Sequence, residues 1–381
     1  MASVASPILA QRGRRLPVYT SVPEIGWADH LPSNRYGDET PHVQAIAAHH
    51  PNMDLHLISS EGRGAFDWQE EMLAAAAQPI RNALNVHWIH SIAQKARSAG
   101  VRTLLTGDPG NLTLSYDGAG IYGEALRSGQ LRELARLILQ SSPRWRGRLR
   151  HFLRGAVAPN LPRWAWTLHA RRRTGQRQPW LVHVAATEQA LARRGSRLRA
   201  GDVGFDFFVS PPRDLRDYYF RMLDVYFAGT AAGFTAAARC IHDVDIRNPL
   251  VDRRLIEWCF SIPHEQFRLG GQPRALAKRV AEGLLPEDIR LQRHGRGIQT
   301  ADAHLRLSRD RDRMIQTIET LRLNDEIADL IDLDRLSDAL RDWPAAEAFW
   351  EDRGRAAYLS AVVPMALQAG RFLQRESGRN V

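Results

Sequence analysis

The stretch "TLLTGDPGNLTLSYDG" (residues 103–118) decides the fold, because a short apolar run ends there in a turn rich in glycine. The run 101–105 is typical of a buried strand. The turn behind it carries Gly107, Asp108, Gly110 and Asn111. In open α/β folds, ligands bind at the carboxyl ends of parallel strands. The turn is therefore either a tight surface connection or a ligand loop at the edge of a sheet.

The stretch follows an alternation of strands and helices. Apolar runs at 16–22 and 52–58 predict two further strands, and the periodic patterns at 40–50 and 66–100 predict helices. Such alternation indicates βαβ units and a mostly parallel sheet. We therefore predict an α/β core over residues 1–120.

Beyond residue 120 the apolar spacing becomes helical and strand signals are few. We predict a basic helical insertion at 121–240 and a helical remainder at 241–381. Within the insertion, residues 196–214 are predicted to form a loop, because Pro211 and Pro212 interrupt any helix there.

The chain has 381 residues and a formal net charge of +10, with arginines concentrated at 143–155 and 169–180. Three interpretations are open for these clusters: solvated arginine-rich helices, a face for an acidic ligand or peptide, and a nucleic-acid surface. Nucleic acid is the least favoured of the three, since the arginines follow apolar residues at helical spacing, as in "LRELARLILQ".

Several classes of protein are excluded or disfavoured. The two cysteines, Cys240 and Cys259, are too few for a disulfide framework or a four-cysteine zinc site, and both are predicted to be buried thiols. No HExxH pattern occurs, so no metal site is assigned from histidine or cysteine. No apolar run reaches the roughly 20 residues that span a bilayer. Because the N-terminus is also unlike a secretory signal, we expect a cytoplasmic protein.

Three other segments carry candidate functional residues. The first, "YTSVPEIG" (19–26), is a predicted strand that runs into a turn. In "RYGDETP" (35–41), Asp38 and Glu39 precede a helix, where they serve either as caps or as ligand or metal contacts. In 270–302, Arg274 and Lys278 are four residues apart on one side of a predicted helix. Two such cations suit a polyphosphate or a developing oxyanion, or they are simply exposed.

Taken in order, these segments resemble the synthetase domain of the asparagine synthetase B family. That family includes asparagine synthetase, β-lactam synthetase and the macrolactam cyclases that close lasso peptides. "TSV" (20–22) is similar to the family's "FSVG" strand end, and "TGDPGN" (106–111) to its "TGxGGN" form. "RNPLVD" (247–252) is similar to "RxPFLD", and "RALAKRVAEGLLP" (274–286) to "KxxLRxA" followed by "LP". The resemblance extends from residue 13 to about residue 300.

The resemblance implies an ATP-pyrophosphatase fold, that is, an adenine nucleotide alpha hydrolase-like parallel sheet, with ATP and Mg²⁺ as cofactors. A carboxylate would be adenylated, and an amine would then displace AMP to form an amide. By resemblance, the nucleotide would bind near Thr20, Ser21, Val22 and Gly107. Asp108, Arg274 and Lys278 would be the catalytic residues, with arginine in place of the family's lysine. The substrate or metal loop would include Asp38, Glu39, Gly110 and Asn111.

The sequence also departs from the family. The "SGGxDS" phosphate loop does not occur, and the resemblance places it just before Met1, together with the first strand and the glutaminase domain. Three explanations are open: a sequence that starts late, a degenerate binding or scaffold protein, or a separate subunit that carries the missing half. If the protein is an active enzyme, we expect asparagine synthetase-like or macrolactam cyclase activity. The substrate would be a small-molecule carboxylate or an acidic precursor peptide.

Overall fold

The computed structural model describes residues 1–80, 82–175, 183–193, 195, 210–227, 232–292 and 296–378. Its strands are Leu16–Ser21 (β1), Arg35–Tyr36 (β2), Met53–Ile58 (β3), Thr103–Leu105 (β4), Asp245–Arg247 (β5), Arg268–Leu269 (β6), Gln272–Pro273 (β7) and Arg296–Gly297 (β8).

The helices of the first half are Ala2–Ala10 (α1), Thr40–His49 (α2), Gln69–Ala76 (α3), Val86–Ser98 (α4), Ile121–Arg127 (α5), Leu131–Ser141 (α6), Trp145–His151 (α7), Arg163–Thr174 (α8) and Glu188–Arg193 (α9). Those of the second half are Leu215–Tyr226 (α10), Ala232–His242 (α11), Arg253–Ser261 (α12), Ala275–Val280 (α13), Glu287–Arg290 (α14), Ala303–Arg309 (α15), Arg311–Arg322 (α16), Asp325–Leu330 (α17), Leu333–Arg341 (α18), Arg353–Ala357 (α19) and Val363–Glu376 (α20).

β1–β3, β4–β5 and β2–β8 are parallel pairs, as the alternation of strands and helices predicts, whereas β6 and β7 pair antiparallel. β1 pairs with β3, and β4 pairs with β5 so that Leu105 lies opposite Arg247. In the part of the chain that the structure describes, no ladder joins these two pairs into one sheet. Helices α1 and α4 pack on β1, and α11 packs on α3, α4 and β5. The chain is thus of mixed α/β class with small parallel sheets.

Local sequence explains where the first helices begin and end. α2 begins at Thr40, whose backbone N–H donates to the Asp38 carboxylate over 2.8 Å. The two helical patterns predicted within 66–100 form α3 and α4. Ala77 adopts a left-handed conformation (φ 50°), and Pro79 follows it. A proline cannot donate the next helical hydrogen bond, so the first helix stops there.

The largest apolar core lies among the C-terminal helices. Its buried members come mainly from residues 303–367, and Phe66 and Leu84 join it from the first part of the chain. Residues 210–212 are not helical, whereas residues 196–209 of the predicted loop lie outside the described residues.

A buried arginine joins this helical core to the strands. Arg306 on α15 is 1% exposed and donates to Asp302 (2.7 Å) and to the backbone oxygens of Ser59 (2.8 Å) and Ser60 (3.0 Å). Because Ser59 and Ser60 follow β3, these bonds fix the carboxyl end of that strand. Beside them, Glu24 follows β1, and its carboxylate accepts two hydrogen bonds from Arg309, each 2.6 Å. The hydrogen bond from Arg309 holds the pKa of the Glu24 carboxyl below its usual value.

Two further buried groups are histidines on α4. His87 and His90 are each 1% exposed. The His90 ring stacks on Trp68 at 5.2 Å, and its Nδ1 shares a hydrogen bond with Nε2 of His242. Burial, together with the charge of Arg306, lowers the pKa of His87 to about 2. Burial and the neighbouring His242 lower the pKa of His90 to about 3. Both rings are therefore neutral in the folded protein near pH 7.

The prediction that both cysteines are buried is wrong for one of them. Cys259 on α12 is 2% exposed, and burial raises the pKa of its thiol to about 11. Cys240 is exposed. Ala236 and Arg239, its neighbours on α11, are exposed as well, so the apolar residues around Cys240 in sequence do not cover it. In the described ranges, no three potential ligands come together as a metal site, and no helix is long and apolar enough to cross a membrane.

The buried arginine generates a prediction about stability. We expect Arg306→Met to lower the free energy of unfolding by about 3–5 kcal/mol, because it leaves the Asp302 carboxylate buried without its partner. The matched control is Arg341→Met, since Arg341 is 75% exposed and pairs with an exposed Asp338. Its loss should stay below about 1 kcal/mol. Urea unfolding measures both, and equal losses would contradict the role given to Arg306.

The buried histidines generate a prediction about pH. The unfolded chain binds protons on His87 and His90 below about pH 6.5, whereas the folded protein does not. Stability should therefore fall as the pH drops below 6.5, by up to about 1.4 kcal/mol per pH unit for each histidine. His87→Gln should reduce this slope, and His30→Gln, at an exposed position, should not. Unfolding midpoints at several pH values test this, and identical slopes in all three proteins would refute it.

Candidate active site

The segment "TGDPGN" (106–111) lies at the carboxyl edge of the β4–β5 pair. Thr106 follows β4, and its backbone N–H donates to the Arg247 carbonyl over 2.9 Å. The Thr106 hydroxyl forms a hydrogen bond with the side-chain oxygen of Asn248, which follows β5. The parallel register thus brings "TGDPGN" and "RNPLVD" side by side, although they are about 140 residues apart in the chain.

The turn itself is held by short contacts. Gly110 N–H donates to the Gly107 carbonyl over 2.9 Å, and the Thr113 hydroxyl donates to the Leu250 carbonyl over 3.1 Å. A Cβ atom on Gly110 would lie 2.5 Å from Leu250 Cδ1. A side chain at Gly110 would therefore force the Leu250 methyl group to move. Its neighbour Asn111 lies in the same turn, Gly110–Leu112.

Asp108 is at the exposed surface of this turn, before a cis peptide bond to Pro109. Its surroundings still remove enough water to raise the pKa of its carboxyl. The Tyr226 hydroxyl lies 3.5 Å from the Asp108 carbonyl oxygen and accepts a hydrogen bond from the Asn248 amide at 3.3 Å. Burial and the charge of Asp108 raise the pKa of Tyr226 to about 12. The tyrosine is therefore a neutral hydroxyl beside the carboxyl group.

The predicted nucleotide residues of the first strand lie at a similar edge. Thr20 and Ser21 are the last residues of β1, and Val22 N–H donates to the Ile58 carbonyl over 3.0 Å. Helix α1 packs on β1. The start of α1 lies near the carboxyl edge of β4, because a Cβ atom on Gly107 would lie 3.8 Å from Met1 Cγ.

The remaining predicted residues gather at a second place. β2 pairs with β8, and a Cβ atom on Gly297 would lie 2.1 Å from Glu39 Oε1. Burial raises the pKa of Tyr36, an effect that Glu39 increases and the charge of Arg274 reduces. Glu39 and Arg274 therefore act on the same tyrosine. The Asp38 carboxylate, in contrast, accepts the backbone N–H of Thr40 at the start of α2.

The two predicted cations differ in their local structure. Arg274 lies just before α13 in a left-handed conformation (φ 57°) rather than inside a helix. Lys278 lies within α13, and its Nζ is 3.5 Å from the Gln292 carbonyl oxygen. The prediction of one helix carrying both is therefore wrong by one residue, because the β6–β7 hairpin continues up to Pro273.

Helix α10 links the two places. Burial raises the pKa of Tyr219, an effect that the charges of Arg274 and Arg296 partly offset, whereas Tyr226, two turns later, contacts the Asp108 turn. Among the described residues, no ion pair joins Asp108 to Arg274. The predicted site is thus divided into a turn at β4 and a charged group at β2 and β8.

Three residues of the β4 edge were not among the site residues predicted from the sequence: Thr106, Asn248 and Tyr226. Thr106 and Asn248 lie inside motifs that resemble those of the family. Their polar side chains at the ends of predicted strands could have indicated that they belong to the site. Tyr226 had no such signal, since only the packing of α10 against the turn brings it there.

The close approach at Gly110 generates a prediction. Gly110→Ala should lower the free energy of unfolding by about 1–3 kcal/mol, because its Cβ would overlap Leu250. Gly107→Ala is the matched control, since a Cβ there meets Leu250 Cδ1 at an ordinary 3.7 Å. In a Leu250→Ala background the cost of Gly110→Ala should largely disappear. Thermal unfolding measures all four proteins, and an unchanged cost in that background would contradict the proposed overlap.

Comparison with known proteins identifies the family of the chain. A family model described as asparagine synthase matches residues 3–368, which is most of the chain. Searches of curated proteins and of solved structures found no match. Because the family model covers far more than half of the sequence, the chain belongs to the asparagine synthase family.

Proposed function

We propose that the protein is an ATP-dependent, AMP-forming amide ligase. ATP would activate a substrate carboxylate by adenylation with release of pyrophosphate, and an amine would then form the amide. The observation that carries this proposal is the contact between Thr106 and Asn248, which brings two of the family's motifs to one sheet edge. Edges of this kind are where open α/β folds bind their ligands.

The proposed nucleotide site lies between the carboxyl ends of β1 and β4, in a core of the ATP-pyrophosphatase type. Thr20, Ser21, Val22 and Gly107 would contact the nucleotide. The first turn of α1 comes close to Gly107. Since the N–H groups at a helix N-terminus attract anions, this position suits a phosphate group.

We assign the positioning of the amine to Asp108. An amine must lose a proton when it attacks, and a carboxyl group accepts that proton more readily when its pKa is raised. The crowding that raises the pKa of Asp108 therefore fits this role. Hydrogen bonds among Asn248, Tyr226 and the Asp108 carbonyl hold the turn in place while the side chain stays accessible.

Arg274 and Lys278 would provide positive charge for the phosphates or for the oxyanion that forms when the amide bond is made. Arg274 is the better placed of the two for such a role, because the Lys278 ammonium is directed towards the Gln292 carbonyl. In the acidic segment, the Asp38 carboxylate accepts the backbone N–H of Thr40, and we assign contact with the substrate to Glu39.

Mg²⁺ would enter with the nucleotide. This ion is usually held by one or two carboxylates together with phosphate oxygens and water. The described residues contain no preformed cluster of ligands, and Asp108 offers one carboxylate. We therefore propose binding of MgATP rather than of the free ion.

Two finer activities fit this chemistry. One is asparagine synthetase-like amidation of a small carboxylate, and the other is macrolactam formation within an acidic precursor peptide. The competing proposal from another class is a binding or scaffold protein without turnover. Only a measurement of turnover separates these classes.

The proposal is tested by pyrophosphate release from ATP in the presence of aspartate or of acidic peptides. Substrate-dependent release should occur, and Asp108→Asn should slow it by about 10²–10⁴-fold, as for loss of a general base. Arg274→Met should slow it by about 10²-fold or more.

The matched control for the acid is Asp54→Asn. Asp54 is exposed near the amino end of β3, away from the proposed site, so the rate should not change. Binding of ATP without any release, over a broad set of carboxylates, would favour the scaffold alternative. A substrate-dependent rate that is the same in Asp108→Asn would contradict the assignment of the site.

A further inference from the structure

The net positive charge of the chain equals the charge of one segment, residues 134–175, called here the basic segment. It contains ten arginines and no lysine, aspartate or glutamate. Because the whole chain carries +10, the residues outside this segment sum to a net charge of zero. A charge so concentrated attracts an anionic partner to one part of the surface.

The basic segment also exposes large apolar side chains in an ordered row. α7 continues into the π-helical turn Phe152–Val157. Along this helix Trp145, Leu149 and Leu153 are 67%, 46% and 48% exposed. Their spacing of four residues places them on one side of the helix. We call these three residues the apolar row.

Arginines accompany the apolar row at the same spacing. Arg146, Arg150 and Arg154 each follow one of its members and are all exposed. The Arg146 guanidinium lies over the Trp145 ring at 5.7 Å from its centre. Each turn of the helix therefore presents one apolar and one cationic side chain next to each other.

The fold fixes the direction in which the apolar row points. The other side of the same helix packs on α5. Ala156, in the π-helical turn, is fully buried there, and the His151 ring lies 5.8 Å from the ring of Tyr122 on α5. The row cannot turn inward without breaking these contacts. It is therefore an apolar surface that the folded protein holds towards solvent.

The same combination occurs on α8. Trp164 and Leu168, again four residues apart, are 71% and 45% exposed. Arg172 and Arg173 at the end of this helix are exposed as well. Two neighbouring helices of the basic segment thus carry tryptophan, leucine and arginine on their surfaces.

These observations distinguish between the anionic partners. Nucleic acids bind arginine and stack on aromatic rings, but exposed leucines gain little from them. An acidic peptide would likewise bind the arginines and leave the apolar row exposed to water. A lipid surface uses both kinds of side chain, since tryptophan and leucine enter the boundary between headgroups and acyl chains and arginines bind anionic headgroups.

We propose that the basic segment docks the protein on an anionic membrane surface, with the apolar row inserted at the level of the headgroups. The protein would lie on the bilayer through this face and would not cross it. This inference does not depend on the proposed ligase activity, because none of the residues involved is part of the proposed site.

The test is co-sedimentation of the full chain with vesicles of phosphatidylcholine, alone or mixed with phosphatidylglycerol. Binding should require the anionic lipid and weaken as salt is added. Replacing Arg146, Arg150 and Arg154 together by Gln should weaken binding about a hundredfold, roughly fivefold for each arginine. Replacing Trp145, Leu149 and Leu153 together by Ala should weaken it at least about tenfold.

Two exposed residues outside the segment provide matched controls. Leu323→Ala, at a position 82% exposed, and Arg341→Gln, at a side chain 75% exposed, should bind like the original protein. Unchanged circular dichroism of the triple variants would show that they still fold. Equal binding to neutral vesicles, or no effect of either triple variant, would overturn the proposal. So would binding to single-stranded DNA or polyglutamate, but not to vesicles, through the same arginines.

Discussion

The buried guanidinium of Arg306 is the interaction on which the arrangement of this protein depends. Two-stranded sheets are marginally stable alone, and the parallel strands of the described chain form only such pairs. The helical core must therefore support them. Arg306 does this by binding the backbone that follows β3, while the neighbouring Arg309 binds Glu24 after β1. Removing a guanidinium from water is costly, and here its hydrogen bonds to Asp302 and to backbone carbonyls offset that cost.

Contacts between distant segments position the candidate site. The Asp108 turn is a surface segment between rigid elements, as binding loops commonly are. Its shape is imposed by segments that are distant in sequence: Asn248 after β5, Leu250 behind Gly110, and Tyr226 at the end of α10. A second charged group, around Glu39 and Arg274, is built on the β2–β8 pair. α10 contacts the Asp108 turn, and the charge of Arg274 in the second group acts on its Tyr219.

The sequence predicted what depends on local pattern. The strands at 16–21 and 53–58 follow from apolar runs, the start of α2 from the acid at Asp38, and the family from four short motifs in order. What it could not predict depends on packing between distant segments. Cys240 is exposed because of the side of α11 on which it falls, and Tyr226 reaches Asp108 only through the packing of α10. The exposure of the apolar row could not be predicted either, since helical periodicity alone does not tell which side of a helix other elements cover.

Amide hydrogen exchange with and without MgATP would show whether a nucleotide binds between the carboxyl ends of β1 and β4. We expect slower exchange in peptides that contain residues 20–22 and 106–111 when the nucleotide is present. Peptides from α6 to α8 lie outside the proposed site, and their exchange should not change. Protection confined to other parts of the chain, or none at saturating nucleotide, would contradict binding at this position.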